Sequence, residues 1–107
     1  MDAQLKRGIL EVCVLSAMRS VDAYGYKIIK DLSPFMEISE STLYPILKRL
    51  EQQSCVSAYS VEHNGRLRKY YRITDAGHKR ISEFFEDWES IMKAYNYIKG
   101  DLPDDKT

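Results

Sequence analysis

The sequence predicts a mainly α domain with one small β-hairpin, and three observations carry that expectation. Apolar residues recur at helical spacing in three segments before residue 54 and again in a long aromatic stretch after residue 74. Between them, two runs rich in Val, Tyr and Ile flank Asn64-Gly65, the strongest short hairpin signal. The chain has 107 residues, 44% of them hydrophobic and 11% aromatic, which suits one compact core and leaves no room for two independent folds.

From Leu5 to Met18 the residues Leu5, Ile9, Val12, Cys13 and Ala17 form a helical stripe, and Leu10, Val14 and Leu15 widen it beyond one face. This first helix is expected to be central. Arg19 to Ala23 breaks the pattern, and a second helix resumes it from Tyr24 to Leu32, with Tyr24, Ile28, Ile29 and Leu32 on one side. Ser33-Pro34 closes it, because the residue before proline is steered away from helical dihedrals. Ser39 is the expected N-cap of a third helix running to about Gln53, with Glu40 suiting the dipole and Leu43, Ile46, Leu47 and Leu50 forming the buried stripe. Pro45 lies inside that helix, where its missing donor should bend the axis or tighten the first turn.

Cys55 to Glu62 and Leu67 to Ile73 read as a two-stranded ribbon around His63-Asn64-Gly65-Arg66. Alternation puts Arg66, Arg68, Tyr70 and Arg72 on one face of the second strand and Leu67, Lys69, Tyr71 and Ile73 on the other. Thr74 then caps the last helix, with Asp75 at its positive end. Ile81, Phe84, Trp88, Ile91 and Tyr95 alternate in 4-3 spacing along it, and Phe85 and Met92 add a row one heptad apart. A stripe so long and aromatic needs a partner, so these seven residues are the expected dimer interface. After Lys99-Gly100 the polar tail is expected to fray. The expected units are therefore residues 1–74, the C-terminal dimerisation helix 75–99 and the tail 100–107.

The formal net charge is +0, but it is unevenly distributed. Residues 1–40 carry five Lys/Arg against six Asp/Glu, residues 41–80 eight against three, and residues 81–107 three against seven, a balance of −1, +5 and −4. A basic middle between acidic ends suits one face that meets phosphate. The order of three helices, basic ribbon and helix is that of a winged helix-turn-helix, whose third helix enters the major groove while the ribbon lies along backbone or minor groove. Opposite its buried stripe the third helix presents Ser41, Thr42, Tyr44, Lys48 and Arg49. Hydroxyls at a helix N-terminus bind phosphate or base edges, Tyr44 can pack on a thymine methyl, and Lys48 can reach guanine or phosphate. An ordinary amphipathic helix would account for this helix equally well. The ribbon favours DNA, since Arg66, Arg68, Lys69 and Arg72 are like charges where a purely structural hairpin would gain from opposite ones.

The run Ser41-Thr42-Leu43-Tyr44-Pro45-Ile46-Leu47-Lys48-Arg49-Leu50-Glu51, followed by Gly65-Arg66-Leu67-Arg68-Lys69-Tyr70-Tyr71-Arg72-Ile73-Thr74-Asp75-Ala76-Gly77, closely resembles the PadR family of bacterial transcriptional regulators. Gly8-Ile9-Leu10 and Tyr24-Gly25-Tyr26 look like its remaining landmarks, and the resemblance covers about residues 5 to 95. It implies a winged helix with a single C-terminal helix that exchanges contacts in a homodimer, as in the family's short branch. It also implies that the third helix survives Pro45. The residues carried over to DNA binding are Ser41, Thr42, Tyr44 and Lys48 on the helix and Arg66, Arg68 and Lys69 on the wing. Ser54-Cys55 departs from the family, which usually has glycine and an aliphatic residue there.

The resemblance further implies repression of a promoter carrying a pseudo-palindromic operator, with release by a small aromatic or drug-like effector. Trp88 resembles the aromatic position that sandwiches a flat ligand across the dimer in some short members, although a seam tryptophan also serves as plain interface packing. The other reading of the chain is a winged-helix protein-interaction module without DNA affinity. No enzyme is expected, since Ser39 and Ser41 have no nearby His and the five glycines form no phosphate loop. Cofactors and metals are not expected either: Cys13, Cys55, His63 and His78 lack paired ligand spacing, and both cysteines read as buried small apolar residues. With no apolar run near the roughly 20 residues of a membrane helix and no signal-like start in Met1-Asp2-Ala3-Gln4, the expected location is the cytoplasm.

Overall fold

The computed structural model describes residues 1–101, so the tail expected at 100–107 falls outside the described residues from Leu102 onward. Four helices and three strands follow in the order α1 (Ala3–Ala17), β1 (Ala23–Tyr24), α2 (Gly25–Leu32), α3 (Glu40–Gln52), β2 (Val56–His63), β3 (Arg66–Ile73) and α4 (Asp75–Lys99). The result is a winged helix, mainly α as expected, but its sheet has three antiparallel strands in the order β1-β3-β2 rather than two. The additional strand is only Ala23 and Tyr24, paired with Tyr71 and Tyr70, and two residues are too few to show a period of two. Tyr24 therefore leaves the second helix and becomes its N-cap, with the extended backbone of a strand.

The helix ends follow local chemistry. Asp2 caps α1 by accepting from the Gln4 and Leu5 amides, both at 3.1 Å. Ser39 and Thr74 cap α3 and α4 by accepting from the Thr42 and Gly77 amides at 3.3 and 3.2 Å. α3 continues through Pro45, which withholds only the N–H that would have gone to the Ser41 carbonyl near the exposed N-terminal end. Beyond its C-cap Gln53, Ser54 adopts φ 60°, the left-handed conformation that glycine takes without strain. The departure from the family pattern thus places serine in a conformation that suits glycine, and the Cys55 amide still closes back on the Leu50 carbonyl at 2.9 Å. Asn64 (φ 53°) and Gly65 (φ 77°) make the two-residue turn with both central residues left-handed.

The core lies between α1, α2, α3 and the inner face of the sheet. In α1 the most buried residues are Leu10, Glu11, Val14 and Leu15, so the residues that widened the stripe face the core. Leu5 is exposed, and Ile9, Val12, Cys13 and Ala17 are half-buried. Gly77 at the start of α4 is required by packing, because a Cβ there would collide with the Cys55 carbonyl oxygen and the Ile73 side chain. Cys55 is buried and Cys13 half-buried, both as free thiols, and burial pushes the Cys13 thiol above its usual range.

Glu11 is 5% exposed and is the one charged side chain in the core of the described residues. Arg49 of α3 donates its Nε to Glu11 Oε1 at 2.7 Å, and Arg80 of α4 donates Nη2 to Glu11 Oε2 at 2.6 Å. A second Arg80 nitrogen donates to Gln53 Oε1 at 2.7 Å. Replacing Glu11 with alanine leaves two arginines without their carboxylate. Because those arginines are about a third exposed and partly rescued by water, the expected loss of stability is about 2 kcal/mol, read by urea unfolding.

Candidate nucleic-acid interface

α3 turns Leu43, Ile46, Leu47 and Leu50 inward, which leaves Ser41, Thr42, Tyr44 and Lys48 on the outer side, all exposed. Lys48 has no carboxylate partner among the described residues. Ser39 Oγ lies 3.0 Å from Ser41 Oγ and 3.1 Å from Thr42 Oγ1, so three hydroxyls cluster at the positive end of the helix dipole. Tyr44 is 46% exposed and leans back over the α2 N-terminus. A Cβ at Gly25 would come within 2.5 Å of its hydroxyl oxygen, so a larger residue there would push the Tyr44 ring aside. Arg49, on the same side of the helix in sequence terms, is held by Glu11 instead. The sequence did not place two basic residues beside this helix: Lys6 and Arg7 of α1 line a groove of about 420 Å³ with Ser41, Thr42, Pro45 and Arg49. Nothing in the spacing of α1 indicates that its first turns run beside those of α3.

The wing follows the expected alternation, and its two faces have different neighbours. Arg66, Arg68, Tyr70 and Arg72 share the face opposite the core, together with their cross-strand partners His63, Val61, Tyr59 and Ser57. Lys69 is on the inner face with buried Tyr71 and reaches toward Glu51 of α3 at 3.8 Å. The seven expected DNA-binding residues therefore gather around α3 and the wing, but Lys69 and the two arginines sit on opposite faces of the ribbon. The like charges are also less isolated than the sequence implied. Arg72 pairs with Asp22 at 3.1 Å and Lys69 with Glu51, while Arg66 and Arg68 have no carboxylate among the described residues.

A sequence profile for the transcriptional regulator PadR-like family matches residues 14–83, which spans α2, α3 and the whole wing. The chain belongs to the PadR-like family of transcriptional regulators. It is also 36% identical over 92 residues to an uncharacterized protein of Lysinibacillus sphaericus, covering 81% of this chain and 84% of that one. Among solved structures it is similar to a transcriptional regulator from Clostridium thermocellum, with TM-score 0.80, 33% identity, and coverage of 89% of this chain and 97% of the other. A PadR family transcriptional regulator from Eggerthella lenta gives TM-score 0.80 at 34% identity, covering 89% and 85%. Among the described residues no helix of this PadR-like protein is long and apolar enough to cross a membrane.

α4 places the expected dimer residues unequally. Ile81 is 4% exposed and belongs to the chain's own core. Phe84 is half-buried; with Phe85 it lines an apolar groove of about 410 Å³ against Ile9, Val12, Cys13 and Ala17 of α1. Phe85, Trp88, Ile91, Met92 and Tyr95 are exposed, with Trp88 at 42% and its ring stacked on Phe84 at 6.1 Å. About three turns of apolar side chain, from Phe85 to Tyr95, thus face solvent in the single chain.

At the base of the wing, Asp22 Oδ2 accepts from the Tyr59 hydroxyl at 2.5 Å and from Arg72 Nε at 3.1 Å. The Tyr59 hydrogen bond, aided by Arg72, holds the Asp22 carboxyl below the usual carboxylate range, and the same bond pushes the Tyr59 phenol up. A carboxyl lowered on folding contributes stability above its unfolded pKa and loses it as pH falls through the lower folded value. Asp22 is accordingly expected to titrate by NMR below an ordinary aspartate, and Tyr59→Phe to move that midpoint upward.

Proposed function

We propose that this PadR-like regulator is a cytoplasmic, non-enzymatic homodimeric repressor that reads a pseudo-palindromic operator in double-stranded DNA. Residues 1–74 form the DNA-reading unit, and helix 75–99 carries the dimer contacts. α3 enters the major groove, where Ser41, Thr42 and Tyr44 meet backbone and base edges and Lys48 reaches a guanine or a phosphate. Arg66 and Arg68 on the outer face of the wing, and Lys69 on the inner face, meet the flanking backbone. The observation that carries this reading is the outer side of α3, where exposed hydroxyls and a lysine stand beside a wing, with Lys48, Arg66 and Arg68 meeting no carboxylate among the described residues. Lys48→Ala is expected to weaken binding about tenfold while leaving the dimer intact. Fluorescence anisotropy on labelled DNA from upstream of its own gene, against scrambled DNA, measures this. Unchanged affinity at moderate salt would refute the assignment, and equal weak binding to both fragments would favour a protein-interaction module.

The dimer forms through Phe84, Phe85, Trp88, Ile91, Met92 and Tyr95, which cover one another and the groove along α1 in the second copy. Two recognition helices then lie about one DNA turn, roughly 34 Å, apart. A flat aromatic effector binds between the two Trp88 rings, and any preference it has for another helix spacing lowers DNA affinity by that difference. The apolar, solvent-facing length of α4 supports this reading. Trp88→Ala is expected to move the monomer–dimer midpoint to higher concentration in sedimentation or to abolish quenching by planar aromatic ligands; a variant unchanged in both would sink it.

A further inference from the structure

The sheet face turned from the core carries a row of aromatic rings that the reading above leaves without a task. Tyr24 of β1, Tyr70 of β3 and Tyr59 of β2 lie side by side, because the register pairs both Tyr24 and Tyr59 with Tyr70. Tyr59 stacks on Tyr70 with centroids 5.7 Å apart and planes 12° apart, and Tyr24 meets the other side of Tyr70 edge-on at 5.5 Å and 73°. Arg68 and Arg72 stand two residues to either side of Tyr70, hence on the same face. Each covers one end of the row: the Arg68 guanidinium carbon is 4.1 Å from the Tyr24 centroid, and that of Arg72 is 5.3 Å from the Tyr59 centroid.

The two ends differ in charge balance. Arg72 donates its Nε to Asp22 Oδ2 at 3.1 Å, and its Nη2 lies at the same distance, so its charge is matched within the fold. Arg68 rests on a ring and has no carboxylate among the described residues. A guanidinium attracted to an aromatic face keeps its N–H donors, which point outward around its rim and are available to an anion. An arginine already ordered in this way loses less rotamer freedom when a phosphate arrives.

We propose that Tyr24 is a positioning residue for DNA binding: braced by Tyr70 and Tyr59, its ring presets the Arg68 guanidinium for a backbone phosphate, while Asp22 keeps Arg72 from competing. This rests on the reading that Arg68 meets the DNA backbone. Tyr24 does not touch DNA in this role; it acts through Arg68.

The test uses the full chain and mixed-sequence duplex DNA over a series of salt concentrations, since phosphate contacts need no operator. Arg68→Ala is expected to weaken binding about tenfold and to reduce the salt slope by about 1. Tyr24→Leu is expected to weaken it about threefold, and Tyr24→Phe, which keeps the ring face, to bind like the parent. With Arg68→Ala already present, Tyr24→Leu should cost nothing more. The same loss with and without Arg68 would mean that the ring only supports the fold, and would overturn the proposal. If Tyr24→Leu does not fold, Arg68→Lys replaces it: lysine keeps the charge without the planar stack, so a roughly threefold loss is expected, and parental affinity overturns the proposal. Full affinity in Arg68→Ala overturns the reading of Arg68 and the proposal with it, while a loss in Lys48→Ala would leave the rest of the interface standing.

Discussion

Glu11 joins three helices through one buried carboxylate, and the relative placement of the others depends on it. Its two oxygens take one arginine each, Arg49 from α3 and Arg80 from α4, so the cost of removing the charge from water is offset by two charge-assisted hydrogen bonds. Arg80 also holds Gln53 at the end of α3. The outer side of α3 and the first turns of α4 are therefore referenced to the same two oxygen atoms. An apolar contact there would tolerate sliding, whereas hydrogen bonds of 2.6 and 2.7 Å with defined directions do not. In a PadR-like regulator this links the helix proposed to face DNA to the helix that leaves the globule.

What leaves the globule is most of α4. Only Gly77 and Ile81 of its 25 residues are buried, and the principal extents of the chain are 69 × 26 × 21 Å. A radius of gyration of 17.2 Å exceeds the roughly 13 Å expected of a compact domain of this size. The excess comes from a helix whose apolar ridge, beyond Phe84, is exposed among the described residues. Charge follows the same division. The exposed carboxylates Glu83, Glu86, Asp87 and Glu89 lie along α4, while α3 and the wing hold the basic excess. A net charge of zero thus conceals a molecule with one basic region and one acidic arm.

Several pieces of the interface could be read from the chain alone. The caps at Ser39 and Thr74, the buried stripe of α3 and the Asn64-Gly65 turn each depend on residues within a few positions of one another. A two-residue turn even sets the pairing of Tyr59 with Tyr70, by counting outward from it. Tyr24 could not be found in this way, because its neighbours in the row come from strands that are distant in sequence. The basic residues of the wing were legible as a group, but their separation into Asp22-paired, Glu51-paired and unpaired members was not. Ile81 fits the heptad seam by spacing and the core by position, and spacing cannot distinguish the two.

The sequence by itself determined the four helices and the hairpin, their order, the family and the side of α3 left open to solvent, because periodicity, capping and turn chemistry act over short stretches of chain. Tertiary structure alone decided that Glu11 is buried, that Ala23 and Tyr24 form a third strand, that Arg72 is neutralised while Arg68 meets no carboxylate among the described residues, and where α4 parts from the core. Each of these depends on groups brought together across long separations: 38 and 69 positions for the two Glu11 bonds and 50 for Asp22 with Arg72. Whether a charge is buried, paired or free is a property of those meetings, and no local pattern encodes it.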